Sequence, residues 1–274
     1  MEITLDLLKS IALEVYNAVN PLLGTKKAAE KLNKGAGGDI SMHIDVVAEN
    51  FIINELKKND IDVLFISEEI GEQYIGDQQL ILKNKYKLIV DPVDGSNNAV
   101  RGIPYSSVSI AYAVGDRLKD VEMAVIINLY TKDLYWATKG EGSYMNGKKI
   151  FVSDIDITQK SFFEIDISKK DLFKYLEIFK KIFESPLKIR IMGSTALTLC
   201  QIASGSVDAF LNLRHTSRVV DAAAGYLIIK ESGGKIFSLN GSDVDQELLS
   251  INTRFPFVAC NSKLENFLRT ALIF

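Results

Sequence analysis

Cysteine, histidine and tryptophan are nearly absent from this chain: 274 residues contain two, two and one of them. Cys200 and Cys260 stand in no metal-binding or redox spacing, which excludes a disulfide framework and a thiolate zinc site. Both are expected to be small buried apolar residues in a reducing compartment. An excess of one charge is missing too. Thirty-two Lys and Arg stand against 35 Asp and Glu, a net charge of −3, so there is no overall basic footprint for nucleic acid. No apolar run reaches the roughly 18 residues of a membrane span. The opening "MEITLDLLKSIALEV" carries acids where a secretory signal needs a basic segment. A cytoplasmic protein is the expectation. Internal repeats and low-complexity linkers are also lacking.

What is there suits a soluble globular protein: 47% hydrophobic and 24% charged residues. The length fits one large domain or two smaller ones and allows a sizeable core. Apolar spacing at Leu8, Ile11, Val15, Ala18 and Leu22 predicts a first helix, and a second is predicted over about 44–58 with Val47, Phe51 and Leu56 inward. Between them "KLNKGAGGDIS" (31–41) reads as a mobile loop, a candidate lid over whatever site lies near Asp45. Then come short apolar runs: "IDVLFIS", "YKLIVD", "SVSIAYAVG", "EMAVIINLY" and "DLYWAT", with "GEGSYMNGKKI" as a further hairpin. Their short connections predict antiparallel neighbours.

After about residue 155 the rhythm changes to alternating strands and helices. "SFFEIDI", "LKIRIM", "VDAFLNLR", "GKIFSL" and "FPFVAC" read as strands. The helices are "SKKDLFKYLEIFKKIF" with Ser168 as its cap, "STALTLCQIASG", "VVDAAAGYLIIKESGG" and "SKLENFLRTAL". We expect residues 1–155 to form an α+β subdomain with an antiparallel sheet and residues 156–274 an α/β subdomain. The two belong to one compact unit of layered helices and sheets.

Acidic residues cluster where these elements end. Glu68 and Glu69 follow "VLFIS". Asp91 and Asp94 follow "KLIV" in "VDPVDGSNNAV". Asp221 opens the helix after "NLRHTSRVV". Each has an ordinary structural reading: a solvated loop, a D-P-x-D-G turn and a helix cap. Together they converge on one rim of a layered fold, where their mutual repulsion calls for a hard divalent cation, Mg²⁺ rather than Zn²⁺. Pro92 fixes φ and lacks an N–H, so it can hold a turn that points Asp91, the Val93 carbonyl and Asp94 to one centre. Gly95 and Ser96 then start a short helix whose N-terminus suits a phosphate.

With "SEE" at 67–69, "DPVDGS" at 91–96, "GSTAL" at 193–197 and "VVDAAAGYLIIKESGG" at 219–234, the chain resembles the inositol monophosphatase family. The resemblance is strongest to archaeal members that also hydrolyse fructose 1,6-bisphosphate. It implies a layered αβαβα sandwich of the sugar phosphatase type, usually dimeric, and a Mg²⁺-dependent, lithium-sensitive phosphatase. It implies Glu68, Asp91 and the Val93 carbonyl as ligands of one metal, and Asp91, Asp94 and Asp221 as ligands of a second. It also implies a third, weaker ion near Glu68, with Mn²⁺ as a substitute for Mg²⁺. Asp45 and the Ser96 hydroxyl would activate the attacking water, with Glu69 also in the catalytic group. Gly95, Ser96, Gly193, Ser194 and Thr195, with Asp94 and Asp221, would line the substrate site. Nucleic acid and membrane partners are not implied.

Three positions depart from the family pattern. Ser96 replaces a threonine, Val220 a tryptophan, and Arg214 stands where animal members carry a substrate-binding glutamate. Arg214 could bind a second substrate phosphate, as in fructose 1,6-bisphosphate, or be an ion-pair partner for a nearby carboxylate. His43 reads as a surface residue at a helix start, while His215 is open between a structural and a catalytic role. The alternatives to a sugar or polyol phosphatase are a 3′-phosphoadenosine 5′-phosphate phosphatase and a non-catalytic partner of the transcription and ribosome-assembly machinery.

Overall fold

The structure is a computed structural model that describes residues 3–36, 40–170, 172–185 and 187–272. Helix α1 (Leu5–Val19) starts at Thr4, whose hydroxyl accepts the Leu7 N–H. Leu8, Ile11 and Val15 are buried as the spacing requires, but Val19, not Ala18, completes the stripe, and Leu22 lies in a following 3-10 turn. The expected loop over 31–41 is instead a short antiparallel hairpin of β1 (Lys31–Lys34) and β2 (Ile40–Met42). Residues 37–39, the tip of the expected lid, lie outside the described residues. Helix α2 (His43–Lys58) buries Ile44, Ala48, Ile52 and Leu56. Val47 and Phe51, expected inward with Leu56, flank that i, i+4 row and pack against the same core, half-buried.

Next come β3 (Val63–Ser67), β4 (Gly71–Ile75), α3 (Gln78–Asn84), β5 (Tyr86–Asp94), α4 (Ser96–Arg101), β6 (Ser107–Val114), β7 (Val121–Asn128), β8 (Leu134–Thr138), β9 (Gly142–Met145) and β10 (Lys148–Lys149). They form an eight-stranded sheet in the order β10-β9-β8-β7-β6-β5-β3-β4. The pairing is antiparallel except between β3 and β5, so the C-terminal ends of those two strands, each followed by acids, lie side by side. Strand β4 and helix α3 have no counterpart in the sequence reading. The Asp91–Asp94 stretch is not a turn closing β5 but part of the strand. Asp91 faces Ser109 and Asp94 faces Ser107, so the longer side bulges around Pro92, which has no N–H to give the ladder.

The second half supplies β11 (Ser161–Asp166), α5 (Leu176–Phe183), β12 (Leu187–Arg190), α6 (Thr195–Ala203), β13 (Ala209–Asn212), α7 (Val219–Glu231), β14 (Lys235–Ser238), β15 (Phe257–Cys260) and α8 (Glu265–Leu272). Its strands make a five-stranded sheet in the order β12-β11-β13-β15-β14. Ser168 does not cap α5. A 3-10 turn over Leu172–Tyr175 comes first, drawing Tyr175 into the core at 1% exposure.

Three apolar clusters define the layers. One packs α1 and α2 on a face of the large sheet. One places α6 and α7 between the two sheets. One joins α5 and α8 to the outer face of the small sheet. The result is the expected αβαβα sandwich. Helix α7 is buried from Val219 to Ile229 because both of its sides meet other elements. At Gly225 a Cβ would come within 2.3 Å of Leu199 Cδ1, so α6 and α7 can approach this closely only at a glycine. Cys200 and Cys260 are free and buried.

Candidate active site

The layering brings the C-terminal ends of β3 and β5 to the N-termini of α2, α4, α6 and α7. They border a cavity of about 640 Å³ lined by Asp45, Glu68, Glu69, Asp91, Val93, Asp94, Gly95, Ser96, Gly193, Thr195, Arg214 and Asp221, among others. Every predicted site residue except Ser194 is in that wall, and Ser194 caps α6 immediately beside it. His43 begins α2 away from the wall. His215 also faces elsewhere: its Nε2 is 2.8 Å from the Tyr175 hydroxyl and 3.1 Å from Lys174 Nζ.

Carboxylate oxygens of Glu68, Asp91 and Asp221 lie within 4.8 Å of one another. Burial pushes the Glu68 carboxyl up to about 7, Arg218 opposing and Asp221 adding to the rise. Burial, then Glu68, Asp94 and Asp221, holds Asp91 well above the usual carboxylate range. Buried oxygens that repel one another fit a hard divalent cation, which removes both the desolvation cost and the repulsion. Asp94 is set slightly apart: its Oδ2 accepts the Ser194 hydroxyl and the Ala196 N–H, each at 2.6 Å. It therefore ties β5 to the start of α6, and burial raises it to about 6.

Asp45 occupies the first turn of α2, where one oxygen accepts the Met42 N–H at 3.1 Å and the other lies 2.7 Å from Ser96 Oγ. Ser96 Oγ is also 2.8 Å from the Val93 carbonyl. One hydroxyl proton cannot serve two acceptors. Either Ser96 donates to an ionised Asp45, or a protonated Asp45 donates to Ser96, which then donates to Val93. Burial lifts Asp45 to about 7, partly offset by Ser96, so both states are accessible near neutrality. Glu69 accepts the Ser41 hydroxyl, and its carbonyl accepts the Ala36 N–H at 2.9 Å, which fastens the β1–β2 hairpin to the acidic rim. Gly95 holds the left-handed conformation (φ 86°), and a Cβ there would meet the Tyr105 and Gly193 carbonyls at 3.0 and 3.1 Å.

Arg214 is in the wall, but its Nε lies 3.0 Å from Asp166 Oδ2, a charge contact without hydrogen-bond alignment. The residue that sequence reasoning missed is Arg218. Its guanidinium contacts Glu68 Oε1 and places Nε 3.1 Å from Asp221 Oδ1. The available signal was a cation at the N-cap of α7, where the helix dipole disfavours positive charge. Lys31, from the stretch read as a candidate lid, lines the cavity, and Asn98 and Asp166 line it unanticipated. Their elements, a six-residue helix and a strand end, mark neither of the two as special.

Residues 3–268 match the inositol monophosphatase family. A Methanothermobacter thermautotrophicus protein named fructose-1,6-bisphosphatase/inositol-1-monophosphatase is 38% identical, with 92% of this chain and 90% of the relative covered. A Methanococcus maripaludis bifunctional NADP phosphatase/NAD kinase is 34% identical over 95% of this chain, which spans only 47% of that relative. Among solved structures, an inositol monophosphatase–fructose 1,6-bisphosphatase superposes with a TM-score of 0.84 at 27% identity, covering 98% of each chain.

Proposed function

Because the chain belongs to the inositol monophosphatase family, we propose that it is a Mg²⁺-dependent phosphatase that hydrolyses phosphate monoesters of sugars and polyols, inositol 1-phosphate, fructose 1,6-bisphosphate or both. The observation that carries this reading is the convergence of Glu68, Asp91 and Asp221 beside the Asp45–Ser96 pair. Glu68, Asp91, Asp94, Asp221 and the Val93 carbonyl would hold two Mg²⁺ ions, with a third near Glu68 and Mn²⁺ as a substitute. Such ions supply positive charge to the phosphoryl oxygens and activate water.

The rest is work for the chain's own groups. Asp45, near 7, takes a proton from the attacking water through Ser96 at neutral pH. Glu69 keeps the hairpin with Ser41 against the rim. Gly95, Ser96, Gly193 and Thr195 line the cavity, where the backbone N–H groups of Gly95 and Ser96 at the start of α4 would orient the phosphate. Arg214 and Lys31, cations of the cavity wall, would meet a second phosphate.

The same reading includes a cytoplasmic, lithium-sensitive homodimer. The dimer is supported by exposed apolar side chains around α5 and β12: Phe173 at 79%, Ile191 at 74%, Leu176 at 51% and Phe183 at 49%. No helix among the described residues is long and apolar enough to cross a membrane. Residues 1–155 and 156–274 are read as two subdomains of one unit, since the large sheet uses residues 63–149 and the small one 161–260.

The deciding experiment is phosphate release from inositol 1-phosphate, fructose 1,6-bisphosphate, NADP and 3′-phosphoadenosine 5′-phosphate, with Mg²⁺ or with EDTA. Release from the sugar and polyol esters, lost in EDTA and inhibited by lithium, is expected. NADP is included because of the named activity of the second relative. Release from the adenosine bisphosphate alone would support that alternative, and no release from any ester would overturn the phosphatase reading.

A further inference from the structure

In the 192–195 segment of the cavity wall, Ser194 and Thr195 are buried and tied to Asp94, but the stretch that leads into them has little packing to hold it. It follows the edge strand β12, and the Ile191 and Met192 side chains are 74% and 36% exposed. Its backbone is nevertheless fixed at one residue from two directions. Glu164 Oε1 accepts the Met192 N–H at 3.1 Å. Asn98 Nδ2 donates to the Met192 carbonyl at 2.8 Å and, with its other hydrogen, to the Tyr105 carbonyl at 2.8 Å. Asn98 stands two residues after Ser96 on α4, whereas Glu164 stands on β11 of the other sheet. Gly193, next in the chain, has φ 85°, and a Cβ there would lie 3.3 Å from the Asn98 amide.

Glu164 is an expensive residue to place here. It is 1% exposed, and its strand neighbours Phe163 and Ile165 are core residues of the outer layer, so it points between the sheets. Its Oε2 has no partner in good hydrogen-bond alignment, and burial pushes the carboxyl up to about 7 despite the neighbouring Thr198 hydroxyl and the Met192 and Gly193 N–H groups. The nearby Thr198 hydroxyl spends its only proton on the Ser194 carbonyl at 2.7 Å. A buried carboxyl with an unsatisfied oxygen costs stability that an apolar residue would not.

We propose that Glu164 is a positioning residue: through the Met192 backbone, which it grips together with Asn98, it sets the Gly193–Thr195 wall at the distance from the 91–96 segment that a phosphate group needs. This rests on the reading of the cavity as a phosphate-ester site. The hydrogen bond runs from a backbone N–H to a carboxyl oxygen, so the amide of glutamine preserves it and a thioether does not.

The test uses Glu164→Met and Glu164→Gln in the full chain. It measures melting temperature, KM and kcat, and the Kd of inorganic phosphate in saturating Mg²⁺. Glu164→Met is expected to match or exceed the wild-type melting temperature while phosphate Kd and substrate KM weaken about tenfold, the size of one buried hydrogen bond. Its kcat should change much less. Glu164→Gln should restore both affinities. Unchanged phosphate Kd in Glu164→Met overturns the proposal, as does a lower melting temperature in both variants with normal affinities, which would mean a purely structural role. Because phosphate Kd needs no substrate, a wild type that hydrolyses none of the esters would sink the phosphatase reading and still leave Kd to decide on Glu164.

Discussion

The acidic side of the cavity and its cationic side are anchored very differently. Asp45, Asp91 and Asp221 are 4%, 2% and 2% exposed. They sit on the first turn of α2, the bulge of β5 and the first turn of α7, each backed by core. Lys31 sits exposed on a two-stranded hairpin, and Arg214 follows β13 in a loop with its side chain 34% exposed. The groups proposed to carry the chemistry stand on elements that packing holds rigid. The groups proposed to sort one substrate from another stand where sequence can change without disturbing the core. Arg218 bridges the two kinds: a cation, but 15% exposed and locked onto Glu68 and Asp221.

The sharpest way to break this contrast is at its most buried point. Asp91→Asn is expected to reduce Mg²⁺-dependent phosphate release to background. In EDTA its melting temperature should equal or exceed that of the wild type, because a buried group that can ionise only against its neighbours' repulsion is replaced by a neutral one. Turnover near wild type at saturating Mg²⁺ would refute the metal role of the cluster. Next in size is Ser96→Ala, which removes the hydroxyl between Asp45 and Val93. It should lower kcat by about 10²-fold or more with little change in KM, the usual cost of lost general-base assistance. A pure KM effect would make Ser96 a binding group only.

On the cationic side smaller effects are expected. Arg214→Ala should lose about tenfold in kcat/KM on fructose 1,6-bisphosphate, roughly 1.4 kcal/mol, and much less on inositol 1-phosphate. The Asp166 contact already occupies part of its charge, which sets the estimate at the low end for a charged partner. Asp166→Asn, by releasing Arg214, should shift the ratio toward fructose 1,6-bisphosphate. Equal losses on both substrates in Arg214→Ala would show that it does not read the second phosphate.

The same contrast explains what was legible in the sequence. Glu68, Asp91, Asp94 and Asp221 stand out because acids at the ends of apolar runs break a pattern that burial imposes. The layers follow from strand and helix periodicities of a few residues, which survive even where ends shift, as at Ser168. Strand β4 was hidden because its less exposed face, Gly71, Gln73 and Ile75, holds a single large apolar residue and so shows no alternation. Arg218, Asn98 and Glu164 act through contacts 150, 94 and 28 residues away along the chain. No local pattern encodes such separations. Their roles come from which loops the two sheets bring together.

The smallest expected effect is on stability, and it concerns the acidic side alone. In the fold, Glu68 and Asp45 are raised to about 7 and Asp94 to about 6, burial being the first cause of each. In the unfolded chain these groups titrate near 4. Between those values the native state binds more protons than the unfolded state, so stability falls as pH rises through the window. Without metal, the melting temperature should therefore drop by on the order of several degrees between pH 5 and pH 8. Saturating Mg²⁺ needs the carboxylates ionised and binds only the fold, so it should flatten or reverse that slope, and its binding should release protons. Glu68→Gln should flatten the EDTA slope as well, since it removes one of the raised groups. Arg214→Ala should leave the slope as it is. Melting curves at both pH values, in EDTA and in Mg²⁺, decide the matter. A stability that rises with pH in EDTA and ignores Glu68→Gln would mean that the acidic side is not held together against its own charge.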